Sequence, residues 1–293
     1  MGIAAAPADP TVLCIIGDSR SGSTLLQYLL GIQAGVATAG ELRRLGQLVA
    51  EGRACSCGAA ISQCPRWAPL LAEVGPLAAR RPATWERRIA EVAGLLALCG
   101  VGSRARVLAP GGARHADTAM RLYAALAGAE QARVVVDSSK DPGHALELAL
   151  SGRLSVQPLF LFRDGRGVVY SKVRRTGIDA DLAIRHWVRL TRAMLLMRRL
   201  IGGNTVQYEA LCANPSSAVA GVLQPLGVQI EMRDPPPPAA EQHFLGGSPG
   251  FAVASVTHLR ADESWRTEAP RALLARFATL AGTLNRRLGY GDR

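Results

Sequence analysis

The sequence predicts an α/β protein: a P-loop-like parallel β-sheet flanked by helices, with a C-terminal cover segment. Two observations carry this. Short, continuous apolar runs rich in branched residues (TVLCII, RVVVD, VQPLFLF) alternate with longer helical patterns, as strands buried on both faces by crossover helices do. The first run also turns through a Gly/Ser loop directly into a helical pattern, in the stretch IIGDSRSGSTLL.

The elements follow in order. Val12–Ile16 reads as the first strand and Ser23–Gly31 as the helix after it. Val36–Thr38 is a short second strand, and Glu41–Glu51 is helical. From the cysteine loop to Gly128 the pattern is helical with breaks, including Trp85–Cys99 and Asp117–Ala127. Arg133–Asp137 is the third strand and Asp141–Leu150 the next helix. Val156–Asp164 is the fourth strand, followed by a helix over Gly165–Arg174. Asp179–Leu200 is a long amphipathic helix with Ile184, Trp187, Val188, Leu195 and Leu196 largely on one side. NTVQYEAL, 204–211, reads as the fifth strand, and Pro215–Leu226 as a helix with proline suited to its first turn. Asp234–Pro238 (DPPPP) is a stiff, extended linker. The organisation is one domain over 1–293, with a flexible N-terminus at 1–10, a helical region at 55–128 and a cover segment at 239–265.

The chain has 293 residues, 48% of them hydrophobic, enough for a full core. No run is long enough for a membrane span, and MGIAAAPADP is not a signal peptide, so a cytoplasmic location is expected. The net charge of +11 comes mostly from arginines scattered as pairs such as Arg43–Arg44 and Arg174–Arg175. There is no dense basic tail and no nucleic-acid motif, so nucleic acid is not an expected partner. The charge is compatible with a peripheral membrane contact or an anionic small ligand. Three of the six cysteines, Cys55, Cys57 and Cys64, lie in CSCGAAISQCPRW. They lack C-x-x-C pairing and a histidine nearby in sequence, so loop-packing thiols are expected rather than a metal site or disulfide.

Two motifs carry chemistry. In the first loop, Gly17 and Gly22-Ser23-Thr24 nearly reproduce a P-loop, but Ser23 stands where the lysine belongs and Arg20 lies inside the loop. Backbone amides at a helix start suit an anion, Ser21, Ser23 and Thr24 add hydroxyls, and Arg20 adds charge. Without the lysine, a nucleotide whose terminal group carries less charge fits better than ATP. In the second, FRDGRGVVYSKVRR, Arg163 ends a strand and Ser171 follows two helical turns on, placed to grip one phosphate from two sides. Fold logic brings the loops after Ile16, Val136 and Phe162 together at the carboxyl ends of the strands.

Together these motifs resemble the sulfotransferases that use 3′-phosphoadenosine 5′-phosphosulfate (PAPS). SRSGSTLL is similar to that family's 5′-phosphosulfate loop and FRDGRGVVYS to its 3′-phosphate motif. GELRRL resembles the glutamate segment of bacterial, glycan and tyrosylprotein members, VVVDSSKDP the strand-end Ser-Lys segment of the bacterial branch, and HFLGGSPG…DESW the loop closing over the nucleotide. The resemblance implies a sulfotransferase fold and direct, in-line, metal-free transfer from PAPS to a hydroxyl of a small molecule, glycan or glycolipid, leaving adenosine 3′,5′-bisphosphate.

Residue by residue, it implies that Arg20, Ser21, Gly22, Ser23 and Thr24 hold the 5′-phosphosulfate, and that Arg163 and Ser171 hold the 3′-phosphate. Ser248 touches the nucleotide from the lid. Glu41 is the general base, with His243 as rival, and Lys140 stabilises the bridging oxygen as the bisphosphate leaves. Two departures stand out: no histidine base is clearly placed after a later strand, and Gly165 replaces the proline of the family's RDPR. The competing readings are a P-loop small-molecule kinase, distinguished by its need for Mg²⁺ and ATP, and a non-enzymatic nucleotide- or nucleic-acid-binding module. The acceptor is not legible.

Overall fold

A computed structural model of the chain describes residues 9–74, 110–152, 154–248 and 251–291. Five parallel strands form one sheet in the order β2-β3-β1-β4-β5: β1 Thr11–Gly17, β2 Val36–Gly40, β3 Val134–Lys140, β4 Ser155–Phe162 and β5 Asn204–Gln207. The helices are α1 Ser23–Gly31, α2 Leu45–Ala50, α3 Trp67–Val74, α4 Pro110–Glu130, α5 Pro142–Ser151, α6 Gly165–Thr176, α7 Ala180–Ile201, α8 Tyr208–Ala213, α9 Pro215–Leu223, α10 Trp265–Glu268 and α11 Arg271–Arg287.

The sheet is buried on both faces because its strands are apolar at successive positions. On β1, Val12, Cys14 and Ile16 pack to one side with α4, α5 and Leu190, Met194 and Met197 of α7. Leu13 and Ile15 pack to the other side with α1, α8 and α9. A third cluster, Val168, Trp187, Trp265 and Phe277, joins α6, α7, α10 and α11. The expected strand–helix alternation is therefore present, and the region expected to be helical over Trp85–Cys99 lies outside the described residues.

Two expectations are corrected. The fifth strand ends at Gln207, and Tyr208–Ala213 is a helix. Tyr208 leaves the ladder because its ring fills the space beside Gly22, where a Cβ would come within 2.3 Å of it. The segment Glu41–Glu51 is a 3₁₀ turn, Leu42–Arg44, followed by the short helix α2, with Glu41 at its cap. The proline linker is anchored by side-chain hydrogen bonds. The Asp234 side chain accepts hydrogen bonds from the Val256 amide (3.0 Å) and the Ser255 hydroxyl (2.9 Å), and Tyr28 donates to the Pro237 carbonyl.

The chain runs from β1 to β2 and β3 on one side, then crosses β1 to β4 and β5. The loops after β1, β3 and β4 consequently leave neighbouring strands at one end of the sheet, around the reversal of strand order. Register shifts interrupt the β1–β3 pairing between Cys14 and Ile16 and the β2–β3 pairing between Thr38 and Gly40. Such irregularities re-aim side chains, and here they precede Lys140 and Glu41.

Candidate active site

The first loop is built to expose amides. Gly22 caps α1 at φ 93°, and no side chain caps the helix. The first-turn N–H groups of a helix have no intrahelical partner, so the amides at Ser23 and Thr24 present the positive helix end. Ser21 turns inward: its amide (3.3 Å) and hydroxyl (2.6 Å) both donate to the Asp18 carbonyl, which tightens the turn. Arg20 occupies the left-handed region at φ 70°, a conformation costing a non-glycine residue of order 1–3 kcal/mol and recurrent at binding sites.

Arg20 joins three regions. Its Nε donates to Ser171 Oγ on α6 at 3.1 Å and its Nη1 to Ser248 Oγ at 3.3 Å. Arg163, at the end of β4, donates from Nη1 to the Arg20 carbonyl at 2.8 Å. Its guanidinium stacks 4.5 Å above the Tyr208 ring and pairs with Asp262 Oδ2 at 3.3 Å. Burial and the charges of Arg175, Arg163 and Arg174 all push the Arg20 pKa down. A cluster of like charges of this kind is relieved by an anion.

The carboxylate lies on the β2 side. Glu41 is 6% exposed. Its Oε1 accepts from Lys140 Nζ at 2.5 Å and from the Gly247 amide at 3.3 Å, and its Oε2 accepts from Arg44 at 2.9 Å. Burial raises its pKa, but the charge and hydrogen bond of Lys140, with those of Arg44, outweigh burial and hold it below the ordinary value. Lys140 reaches Glu41 from a backbone at φ 62°.

The cover segment lies across both halves. Leu245 pairs with Gly40, and its carbonyl accepts from the Glu41 amide at 2.9 Å. Gly246 passes so close that a Cβ would sit 2.8 Å from Glu41 Cδ, and Gly247 abuts Thr24. The Ser248 amide donates to Thr24 Oγ1 at 3.2 Å. Further on, Asp262 meets Arg163.

The structure therefore brings Arg20, Ser21, Gly22, Ser23, Thr24, Arg163, Ser171 and Ser248 to one end of the sheet and ties Glu41 to Lys140 beside them. His243 takes another direction, with Nδ1 3.4 Å from Cys64 Sγ. This corrects the reading of the cysteine loop as having no histidine nearby, because His243 reaches it from 179 residues away in sequence. Asp137 accepts from the Ser139 amide and the Tyr123 hydroxyl at 2.6 Å each.

Sequence reasoning missed the support beneath the first loop. Buried Lys172 donates to Asp18 Oδ1 at 2.6 Å, and His186 Nδ1 lies 3.1 Å from Lys172 Nζ and 3.7 Å from Asp18 Oδ2. The available signal was Lys172 itself, a charge on the face of α6 that otherwise buries Val168 and Val169. Gly165, which departs from the motif's proline, also has a local reason. Its amide donates to Asn285 Oδ1 at 2.9 Å, and a Cβ would approach Trp187 and Phe277 to 2.6 Å.

No family model and no curated protein matches the chain. Among solved structures it is similar to the sulfotransferase domain from the Synechococcus PCC 7002 olefin synthase, with a TM-score of 0.48 and 22% identity over 94% of this chain and 95% of that one. It is similar also to the sulfotransferase domain from the curacin biosynthetic pathway, with a TM-score of 0.47 and 17% identity over 96% and 98%. A third is sulfotransferase STF9 from Mycobacterium avium, with a TM-score of 0.44 and 12% identity over 94% and 77%.

Proposed function

We propose that this protein is a PAPS-dependent sulfotransferase acting on a hydroxyl of a small molecule, glycan or glycolipid. The observation that carries the reading is the bridge from Arg20 Nε to Ser171 Oγ, with Arg163 on the Arg20 carbonyl. It joins a helix-terminus anion loop to a second Arg/Ser anion pair, as a nucleotide with separate 5′ and 3′ anionic groups requires. The amides of Ser23 and Thr24, the Thr24 hydroxyl and Arg20 take the 5′-phosphosulfate, with Ser21 and Gly22 shaping the turn. Arg163 and Ser171 take the 3′-phosphate, and Ser248 closes over the donor.

Glu41 removes the acceptor proton as the hydroxyl oxygen attacks sulfur, and Lys140 donates to the bridging oxygen as the S–O bond breaks and the bisphosphate leaves. The sulfuryl group bears less charge than a phosphoryl group, so these cations suffice without Mg²⁺. Residues 1–293 act as one domain, with 55–128 shaping the acceptor side and 239–265 serving as the lid.

Calorimetry tests the donor. Adenosine 3′,5′-bisphosphate binds much more tightly than 5′-AMP, and equal affinities refute the assignment of Arg163 and Ser171. A screen of hydroxyl acceptors with ³⁵S-labelled PAPS in Mg²⁺-free buffer then gives the acceptor. Turnover that demands Mg²⁺ and ATP refutes the reaction class.

A further inference from the structure

Away from the anion site, four side chains of metal-ligand type converge. Cys55, Cys57, Cys64 and His243 each bring a ligand atom within 4.8 Å of all the others. Cys57 Sγ and Cys64 Sγ are 3.8 Å apart, and Cys64 Sγ is 3.4 Å from His243 Nδ1. The three cysteines are free thiols. Their separation is far beyond the roughly 2.05 Å of a disulfide. It matches the edges of a zinc tetrahedron: with Zn–S about 2.3 Å and Zn–N about 2.0–2.1 Å, ideal angles set S···S at about 3.8 Å and S···N at about 3.6 Å.

We propose that Cys55, Cys57, Cys64 and His243 form a closed, structural Cys₃His zinc site. The backbone is built for it. Ala54 pairs with Ala60, the Cys55 amide donates to the Ala59 carbonyl at 2.8 Å, and Gly58, at φ 88°, closes the turn by donating to the Cys55 carbonyl at 2.9 Å. This tight hairpin presents Cys55 and Cys57 together, and Cys64 follows on the next turn. His243 is held at φ 46° by bonds on both flanks. The Phe244 amide donates to Ser56 Oγ at 3.0 Å, the Ser56 amide to the Phe244 carbonyl at 3.2 Å, and Trp67 Nε1 to the His243 carbonyl at 2.5 Å.

The chemistry selects zinc, because thiolate and imidazole donors in a tetrahedron suit it and four protein ligands leave no position for substrate. Binding displaces the three thiol protons to solvent and leaves the centre with a net charge of about −1. Arg66, two residues after Cys64 and 9% exposed in its side chain, pairs with Glu130 and donates to the Gln242 carbonyl. The site would pin the cysteine hairpin to the root of the segment whose next residues, Leu245 to Ser248, reach Glu41, Thr24 and Arg20. This goes beyond the proposed reaction and does not depend on it.

The test is metal analysis of the full chain, purified under reducing conditions without chelator from zinc-supplemented medium. About one zinc per chain is expected, released in step with mercurial modification of thiols. Reconstitution with Co²⁺ gives the intense visible bands of tetrahedral cobalt and near-ultraviolet thiolate charge transfer. Cys57→Ser and His243→Ala lower zinc affinity at least tenfold, and removing zinc lowers Tm by roughly 5 °C or more. Folded protein that holds under about a tenth of an equivalent of zinc and takes up no cobalt overturns the proposal. So does one zinc per chain that persists unchanged in both variants. If the variants fail to fold, the zinc content and cobalt spectrum of the unmodified chain decide. Neither measurement uses a nucleotide or an acceptor, so failure of the sulfotransferase reading leaves this result standing, and the reverse.

Discussion

Lys140 Nζ donates to Glu41 Oε1 at 2.5 Å, pairing a residue at the end of β3 with one just past β2. The proposed base and the proposed leaving-group cation thus neutralise one another. A bridging oxygen that engages Lys140 draws it from Glu41, and the carboxylate becomes more basic as the acceptor's proton must be taken. On the proposed mechanism this pairing would couple donor engagement to base strength.

Glu41→Gln keeps the size of the side chain and can still accept from Lys140, but it cannot take a proton. It is expected to lower kcat by about 10²–10⁴-fold with bisphosphate affinity changed only a few fold. Steady-state kinetics beside calorimetry separate these quantities. A near-normal kcat would remove Glu41 from the chemistry, and lost nucleotide binding would make it a scaffold for the lid.

Lys140→Met tests the coupling itself. Glu41 titrates below its ordinary value, so the acid limb of kcat/KM lies below about pH 4.3. A depressed pKa keeps the base form present at lower pH. Without Lys140, burial is opposed only by Arg44 and the Gly247 amide, and the limb moves upward. A pH–rate profile in which kcat falls but the limb stays in place would mean that Lys140 does not tune Glu41.

Arg163→Ala removes the guanidinium stacked on Tyr208 and bonded to the Arg20 carbonyl. Binding of adenosine 3′,5′-bisphosphate weakens by about 2–5 kcal/mol if the lost charge pair is well desolvated, while 5′-AMP affinity changes little. Equal losses for both nucleotides would show that Arg163 holds the loop through Arg20 instead of reading the 3′ group.

What the sequence made legible followed local rules. The first loop was readable because Gly22 and the helix behind it are consecutive, and β1, β3 and β4 because buried parallel strands are continuously apolar. The end of β5 was not: Tyr208 favours strand and Glu209 helix, and the packing of the Tyr208 ring beside Gly22 is a contact between distant parts of the chain. His243 was legible as a residue but not as a neighbour of Cys64, since contacts across 179 residues leave no spacing to read. Asp18 and His186 were passed over for the same reason, their partner Lys172 lying on another element.

That buried pair gives the last prediction. Asp18 is 6% exposed and Lys172 7%. Burial raises the Asp18 pKa, but the nearby His186 imidazole and the charge and hydrogen bond of Lys172 outweigh it and hold the pKa low. Its contribution to stability is therefore complete above the unfolded value of about 3.9 and is lost as pH falls through the lower folded value. Lys172→Met with His186→Ala strips both partners and leaves a buried carboxylate whose Oδ2 already lacks a hydrogen bond. Breaking such a pair costs about 3–5 kcal/mol at neutral pH. Burial then raises the folded pKa above the unfolded one, so the native state binds more protons and stability falls as pH rises from about 4. Urea unfolding between pH 3 and 7 should give slopes of opposite sign: the natural chain gains stability with pH at the acid end, and the variant loses it above. Adding Asp18→Asn to the variant should flatten its slope and recover part of the stability. Parallel slopes in all three proteins would show that Asp18 reaches water and that the pair does not support the loop.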